Sequence, residues 1–109
     1  MPVLDTSVLI DKIRKGEEIH DNISEISVLE YPPVLRYDRF SGRIYYVRRR
    51  DFELALHIQI SLRKIGKQKP IPDLIISAIC INRDEELITK DEDFLDIATV
   101  SSLRVRMIE

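Results

Sequence analysis

The chain contains a single cysteine, Cys80, so no internal disulfide can form. Because Cys80 lies in the apolar segment Ile79-Cys80-Ile81 with no base partner nearby in sequence, we expect a small buried side chain rather than a catalytic thiol. Glycine is also scarce, and its three copies are isolated at Gly16, Gly42 and Gly66. Isolated glycines exclude the glycine-rich loop that cradles phosphate in nucleotide-binding proteins.

The sequence has no long apolar run and no dominant charge. No run approaches the roughly 18 residues of a membrane-spanning helix, and the N-terminus lacks the basic and apolar segments of a signal peptide. With 17 Lys and Arg against 19 Asp and Glu, the overall charge neither indicates nor excludes nucleic-acid binding. We expect a single domain over residues 1–109, in a soluble cytoplasmic protein with enough apolar residues for a core.

Short apolar segments alternate along the chain with segments of helical periodicity. The patterns predict strands at 2–5, 23–27, 44–47, 87–89 and 103–107, and helices at 6–15, 17–22, 51–65, 73–83 and 94–98. Ser27 and Glu30 fit a capping box for a further helix, but Pro32-Pro33 should push Tyr31 away from helical angles. This alternation predicts an α/β fold with a central parallel sheet between helical layers.

Three aspartates stand where an apolar segment meets a turn, and one further acid, Glu30, lies midway. Asp5 and Asp91 each follow a predicted strand, and Asp73 begins a predicted helix. Ligands of open α/β sheets bind outside the carboxyl ends of the strands, so we expect these three carboxylates to converge there. Converging carboxylates repel each other unless a cation or a proton is present. This pattern favours a Mg²⁺ or Mn²⁺ site and phosphate-ester chemistry.

Each of these acids also has a purely structural explanation. Asp, Ser and Thr are the preferred N-cap residues of helices, so any one of these acids taken alone is equally well explained as a cap. For Glu30 the capping box is a complete explanation. Capping does not explain why Asp5 follows so apolar a strand, nor the cluster Thr89-Lys90-Asp91-Glu92-Asp93-Phe94.

Four segments, in this order, resemble the motifs of PIN-domain nucleases. The segment Leu4-Asp5-Thr6-Ser7-Val8-Leu9 resembles the opening motif of that family, and Val28-Leu29-Glu30-Tyr31 is similar to the segment with its second acid. Pro72-Asp73-Leu74-Ile75-Ile76-Ser77-Ala78 resembles its third acidic motif, and Ile88-Thr89-Lys90-Asp91-Glu92-Asp93-Phe94 its closing motif. The match spans nearly the whole chain, and the most similar subgroup is that of the VapC-type toxins of toxin–antitoxin pairs.

The resemblance implies a PIN-like three-layer fold and RNA cleavage with Mg²⁺ or Mn²⁺. It implies catalytic acids at Asp5, Glu30, Asp73 and Asp91, and metal ligands at Asp5, Asp73 and Asp91, with Asp93 as a helper. Thr6 or Ser7 would orient Asp5, and Thr89 would steady the last acidic loop. Known members commonly form homodimers and bind an antitoxin. The compact middle of this chain and Pro32-Pro33 depart from the family pattern, which leaves the place of Glu30 open.

Basic and aromatic residues supply further candidates for binding. Lys67, Lys69 and Lys90 lie in predicted loops beside the acidic motifs, where we expect them, with Thr6 and Ser7, to contact the RNA substrate. The run Arg48-Arg49-Arg50 is more simply a solvated start of a helix, and His20 and His57 share no ligand spacing. Large apolar residues in the middle of the chain predict a homodimer, namely Tyr45, Tyr46, Phe52 and Leu56.

Two other functions fit parts of the sequence. A phosphatase with an aspartyl nucleophile would need a second Asp two positions after Asp5, where this chain has Ser7. A degenerate PIN domain would bind RNA or protein without cleaving it; the intact acids disfavour that function, and the compact middle of the chain keeps it open. Metal-dependent cleavage of RNA, as opposed to binding without turnover, separates the enzyme from this second alternative.

Overall fold

The computed structural model describes all residues from Met1 to Glu109. Its helices are α1 (Thr6–Arg14), α2 (Glu25–Glu30), α3 (Arg49–Lys64), α4 (Ile71–Asn82) and α5 (Asp93–Thr99), with a 3₁₀ helix at Pro32–Arg36. Its strands are β1 (Val3–Leu4), β2 (Ile23–Ser24), β3 (Ile44–Tyr45), β4 (Leu87–Thr89) and β5 (Val105–Met107). None of the helices combines the length and the apolar character needed to span a lipid bilayer.

Every pair of neighbouring strands is parallel, as the alternation of strands and helices predicts. Strand β4 lies between β1 and β5, with Leu87 opposite both Val3 and Val105. Strand β2 pairs with β3, and a parallel bridge between Val3 and Asn22 joins these two strands to β1. Parallel strands have their carboxyl ends at one edge, so the residues that follow β1 and β4 are neighbours.

The core lies on both faces of the sheet. Because successive strand residues point to opposite faces, Val3 and Leu87 join the larger core cluster with α3, α4 and α5. Leu4 and Ile88 point the other way and join a smaller cluster with Val8 and Leu9 of α1 and with the 3₁₀ helix. The α/β architecture with a central parallel sheet flanked by helices is therefore confirmed.

Three local predictions are wrong around the second strand: the helix at 17–22, the strand at 23–27 and the capping box of Ser27 and Glu30. The segment 17–22 is not helical; instead Ile19 forms a parallel bridge with Phe40. Strand β2 ends at Ser24, whose extended backbone and side chain cap α2 by accepting a hydrogen bond from the N–H of Ser27 at 3.3 Å. The predicted capping box of Ser27 and Glu30 is thus not formed, because the helix already begins before Ser27 and Glu30 is its last residue.

Pro32-Pro33 acts as the sequence predicts. Tyr31, at φ −141° and ψ 73°, ends α2 outside the helical region. The chain then restarts as the 3₁₀ helix, with Pro32 in its first turn, where a missing N–H costs no hydrogen bond. This break stops α2 directly after Glu30 and so fixes where that carboxylate lies.

A network of hydrogen bonds and an ion pair stabilises the edge of the sheet where the strands begin. The Asn22 amide donates to Glu85 Oε2 at 2.8 Å, and the Tyr45 hydroxyl donates to the same oxygen at 3.0 Å. Arg83 lies over the Tyr45 ring at 5.1 Å and pairs with the fully buried Asp51 at 3.1 Å. Because these polar groups satisfy one another's hydrogen bonds, we assign this edge a structural role.

Candidate metal-binding site

Asp5 is held rigidly at the carboxyl end of β1, where it caps α1 and is 8% exposed. Its Oδ1 accepts a hydrogen bond from the N–H of Thr6, and its Oδ2 accepts one from the Thr89 hydroxyl, each at 2.8 Å. Burial raises the pKa of Asp5, the two hydrogen bonds oppose that rise, and the negative charges of Asp91 and Glu30 add to it. Asp5 therefore caps α1 and also lies among the acids of the predicted site, so the two roles do not exclude each other.

Thr89 organises the acids that follow β4. Besides donating to Asp5, its Oγ1 accepts the N–H of Asp91 at 3.0 Å. Asp91 Oδ1 in turn accepts the N–H of Asp93 at 2.9 Å, which shapes the turn into α5. One buried threonine thus links the end of β1 to the acidic loop after the neighbouring strand.

Asp73 lies half-buried in the first turn of α4, facing these acids. Carboxylate oxygens of Asp73, Asp91 and Asp93 all lie within 4.8 Å of one another. Burial is the main cause that raises the pKa of Asp73 to about 6, and the charges of Asp91, Asp5, Asp93 and Glu30 raise it further. The closest group is therefore Asp73, Asp91 and Asp93, with Asp5 beside it, whereas the sequence predicts Asp5 rather than Asp93 among the central three.

Glu30 reaches the same region from the end of α2. The Thr6 hydroxyl donates to Glu30 Oε1 at 2.6 Å, and Thr6 Oγ1 is 2.8 Å from Ser27 Oγ. Since Thr6 has one hydroxyl proton, Ser27 must be the donor in the second contact. A carboxylate at a helix C-terminus is disfavoured by the helix dipole, so capping does not account for this position. We refer below to Asp5, Glu30, Asp73, Asp91 and Asp93 as the candidate site.

The predicted substrate-binding residues lie in different environments. Lys67 is exposed and pairs with Asp96 at 3.3 Å, while Lys90 pairs with Asp11 of α1. Lys69 is nearly buried, with Asp96 at 2.7 Å and Asp93 at 3.3 Å. Ser7 is exposed and makes no hydrogen bond to Asp5; Thr6 makes that contact. Of the three lysines, only Lys69 pairs with an acid of the candidate site.

Other residues singled out in the sequence lie away from these acids. Cys80 is fully buried, as expected, and burial raises the pKa of its thiol. His20 and His57 are exposed, and His20 is hydrogen-bonded to Ser41. Arg49, in the basic run, is 92% exposed at the start of α3 and pairs with Glu53, as a solvated helix start would.

Sequence reasoning misses three residues around the candidate site. Ser27 donates to Thr6, Asp96 holds Lys69, and the hydroxyl of Ser77 is buried one turn after Asp73 with no hydrogen-bond partner. Asp93 and Asp96 are three residues apart, so the sequence alone could have predicted that Asp96 lies beside Asp93 on one face of a helix. Ser27 carries no such signal because its partner is 21 residues away.

All the donors of the candidate site are carboxylate oxygens, the ligands that hard divalent cations prefer. Two properties fit a cation there: three carboxylates lie within mutual reach, and burial, together with the negative charges of the neighbouring acids, raises the pKa of Asp73 to about 6. A divalent ion would relieve that repulsion. Soft metals that favour sulfur ligands do not fit, since Cys80 is buried in the core.

Sequence comparison gives no match to any protein-family model or to any curated protein. Solved structures do match over nearly the whole chain. Similar chains occur in the DNA-bound VapBC complex from Salmonella typhimurium (TM-score 0.78, 18% identity, 98% of each chain) and in VapBC-5, a toxin–antitoxin system from Mycobacterium tuberculosis (0.77, 20%, 98% of each). FitAcB from Neisseria gonorrhoeae is also similar (0.71, 18%, 96% of each). At these identities the likeness establishes the fold, which is the PIN-like α/β fold that the sequence predicts.

Proposed function

We propose that this chain is the toxin of a toxin–antitoxin pair and acts as a metal-dependent endoribonuclease. The observation that carries the proposal is the approach of Asp73, Asp91 and Asp93 to within 4.8 Å at the carboxyl edge of the sheet. Support from the fold comes from the similar chains of VapBC complexes. The expected cytoplasmic location follows from an action on cellular RNA.

Asp73, Asp91 and Asp93 would hold a Mg²⁺ or Mn²⁺ ion, with Asp5 as a further ligand beside them. When bound, the ion supplies charge neutralisation for a phosphodiester and activation of water. Thr89 and the N–H of Thr6 fix both oxygens of Asp5, so this carboxylate is pre-oriented before any cation arrives. Such preorganisation reduces the reorganisation that binding requires.

Glu30 differs from the aspartates, since it is exposed and one of its oxygens is held by Thr6. In the proposed enzyme its other oxygen orients the attacking water against phosphorus. Lys67 and Lys90 would contact the RNA backbone. Their partners Asp96 and Asp11 do not prevent this, because partly exposed ion pairs are weak and exchange readily with a phosphate.

The exposed apolar side chains provide surfaces for the expected protein partners. Phe52, Leu56 and Ile71 are between 50% and 73% exposed on α3 and at the start of α4, and Leu29 and Tyr46 form part of a second apolar area. A homodimer and an antitoxin tail would cover these areas. The sequence also predicts Tyr45 in the dimer, but this residue is half-buried and its hydroxyl belongs to the Glu85 network.

The direct test is cleavage of a generic single-stranded RNA by purified protein with and without Mn²⁺. We expect cleavage only with the metal, and Asp5→Asn and Asp73→Asn should each abolish it while leaving circular dichroism unchanged. Binding of RNA without turnover in either condition would contradict the enzyme and favour a non-catalytic binding module. Wild-type and variant proteins purified in parallel control for contaminating nuclease.

A further inference from the structure

The side chain of Lys69 is only 9% exposed, which is unusual for lysine and requires that the charge be paired. Its Nζ donates to Asp96 Oδ2 at 2.7 Å and to Asp93 Oδ1 at 3.3 Å. Lys69 is the only cationic side chain that forms an ion pair with an acid of the candidate site. A buried ammonium facing the region proposed for a cation calls for an explanation other than RNA contact.

The backbone of Lys69 is also held in place, by Gln59 of α3. The N–H of Lys69 donates to Gln59 Oε1 at 3.0 Å, and Gln59 Nε2 donates to the Lys69 carbonyl at 2.8 Å. Helix α4 begins shortly afterwards, at Ile71. The side chain of Gln59 therefore fixes the segment that leads directly to Asp73.

The side chain of Lys69 connects this segment to the other half of the candidate site. Both of its partners, Asp93 and Asp96, lie in the first turn of α5, and the N–H of Asp93 donates to Asp91. We propose that Lys69 is a positioning residue whose ion pairs hold the first turns of α4 and α5 together, so that Asp73 and Asp93 stay within reach of one cation. This role rests on the proposed metal-dependent function.

The positioning effect and the charge of Lys69 should change metal affinity in opposite directions. A positive charge near a cation site opposes binding of the cation, so removing Lys69 would tighten metal binding if charge were its main effect. If positioning dominates, removing Lys69 weakens binding. Outer partners of metal ligands typically contribute about 10-fold to 100-fold in metal affinity, so we expect positioning to dominate.

The experiment measures Mn²⁺ affinity of the metal-free full chain from the electron paramagnetic resonance signal of free Mn²⁺. We expect Lys69→Met and Asp96→Ala each to weaken Mn²⁺ binding by about 10-fold. Lys69→Met is the decisive variant, because loss of its positive charge alone would tighten Mn²⁺ binding, whereas Asp96→Ala removes a negative charge and would weaken binding on either ground. Lys69→Arg, which keeps the charge and can pair with both carboxylates, should retain most of the affinity.

Lys64→Met is the matched control, since it removes the same charge from an exposed position at the end of α3 and should leave Mn²⁺ affinity unchanged. Tighter or unchanged binding in Lys69→Met, or unchanged binding in Asp96→Ala, overturns the positioning role. A lower melting temperature of the metal-free variants with unchanged Mn²⁺ affinity also overturns it, because the ion pairs would then be only structural.

Failure of the proposed function gives a different result. If wild-type protein binds no Mn²⁺, both the metal site and the role of Lys69 are rejected. If wild-type protein binds Mn²⁺ and Asp73→Asn does not, while the Lys69 and Asp96 variants bind like wild type, only the role of Lys69 is rejected.

Discussion

Thr89 and Asp5 are 84 residues apart in sequence, yet the Thr89 hydroxyl donates a 2.8 Å hydrogen bond to Asp5 Oδ2. The parallel pairing of Leu4 with Ile88 makes this contact possible, because it places the ends of β1 and β4 side by side. The same Oγ1 accepts the N–H of Asp91. Thr89 therefore sets the distance between two acids of the candidate site through a single atom.

Replacing Thr89 with valine should affect both stability and the site. The change preserves shape but leaves Asp5 Oδ2 and the N–H of Asp91 without their partner, which costs about 1–3 kcal/mol of unfolding free energy for each buried group left unpaired. Thr89→Ser keeps the hydroxyl and should stay closer to wild type. Urea denaturation of both variants measures the difference, and equal stabilities would show that the hydroxyl contributes nothing.

The sequence predicts the places of Asp5 and Asp91 in the fold well, because the responsible signals are local. Asp5 and Asp91 follow short apolar strands, and the position of a residue just after a strand can be read without knowing its partners. Lys69 shows where prediction from local sequence patterns fails. Its position in a loop beside an acidic motif suggests substrate binding, but its partner Asp96 is 27 residues away, and only the packing of α4 against α5 brings the two together.

The second helix shows a different limit. Ser24 and Ser27 are both good N-cap residues, and the short segment around Ile26 fits a strand as well as a helix. The pairing of β2 with β3 extends only to Ser24, so the helix starts there. Glu30 consequently lies at the end of α2 instead of in its first turn, and this position, which local patterns do not predict, places it against Thr6.

Asp73 should make metal-free protein less stable as the pH rises. Its folded pKa of about 6 exceeds the ordinary value of 3.8, so the folded state holds the proton more tightly. Stability is then lost as pH rises from about 4 through about 6, by up to about 3 kcal/mol. In Asp73→Asn this loss should be absent, and in EDTA the variant should be more stable than wild type at about pH 7.5 and similar at about pH 4.

Urea denaturation at both pH values, with and without Mn²⁺, checks this prediction. Mn²⁺ should raise the stability of wild-type protein at the higher pH, because it binds the native state, and should do so much less for Asp73→Asn. Parallel pH profiles of the two proteins in EDTA would show that folding does not raise the pKa of Asp73.

Asp51 should be important for stability and not for metal binding. It is fully buried, and although burial raises its pKa, hydrogen bonds from Asn82, Arg83 and the N–H of Arg48 outweigh that effect and lower it. This stabilisation is present above pH 3.8 and is lost as the pH falls through the lower folded value. Asp51→Ala would leave Arg83 buried without its partner, at a cost of about 3–5 kcal/mol.

Thermal and urea denaturation measure that cost. Glu53→Ala is the matched control, since it removes an acid from the same helix whose partner Arg49 is exposed, and it should change stability by less than about 1 kcal/mol. A similar small effect for both variants would contradict the structural role of Asp51. Asp51→Ala protein that remains folded should bind Mn²⁺ like wild type, because Asp51 belongs to the network at the opposite edge of the sheet.

Glu30→Gln separates the two explanations of this acid. If Glu30 only capped a helix, the substitution would lower stability by about 1 kcal/mol and leave RNA cleavage intact. In the structure, however, Glu30 is the last residue of α2 and accepts a hydrogen bond from Thr6 instead of capping the helix. The glutamine side chain can still accept that hydrogen bond, so the fold should be retained. Its neutral amide cannot accept a proton, and it orients water less well than a carboxylate does. We therefore expect RNA cleavage to fall by about 100-fold or more. Rates within a few-fold of wild type would remove Glu30 from the proposed mechanism and leave the aspartates to carry it.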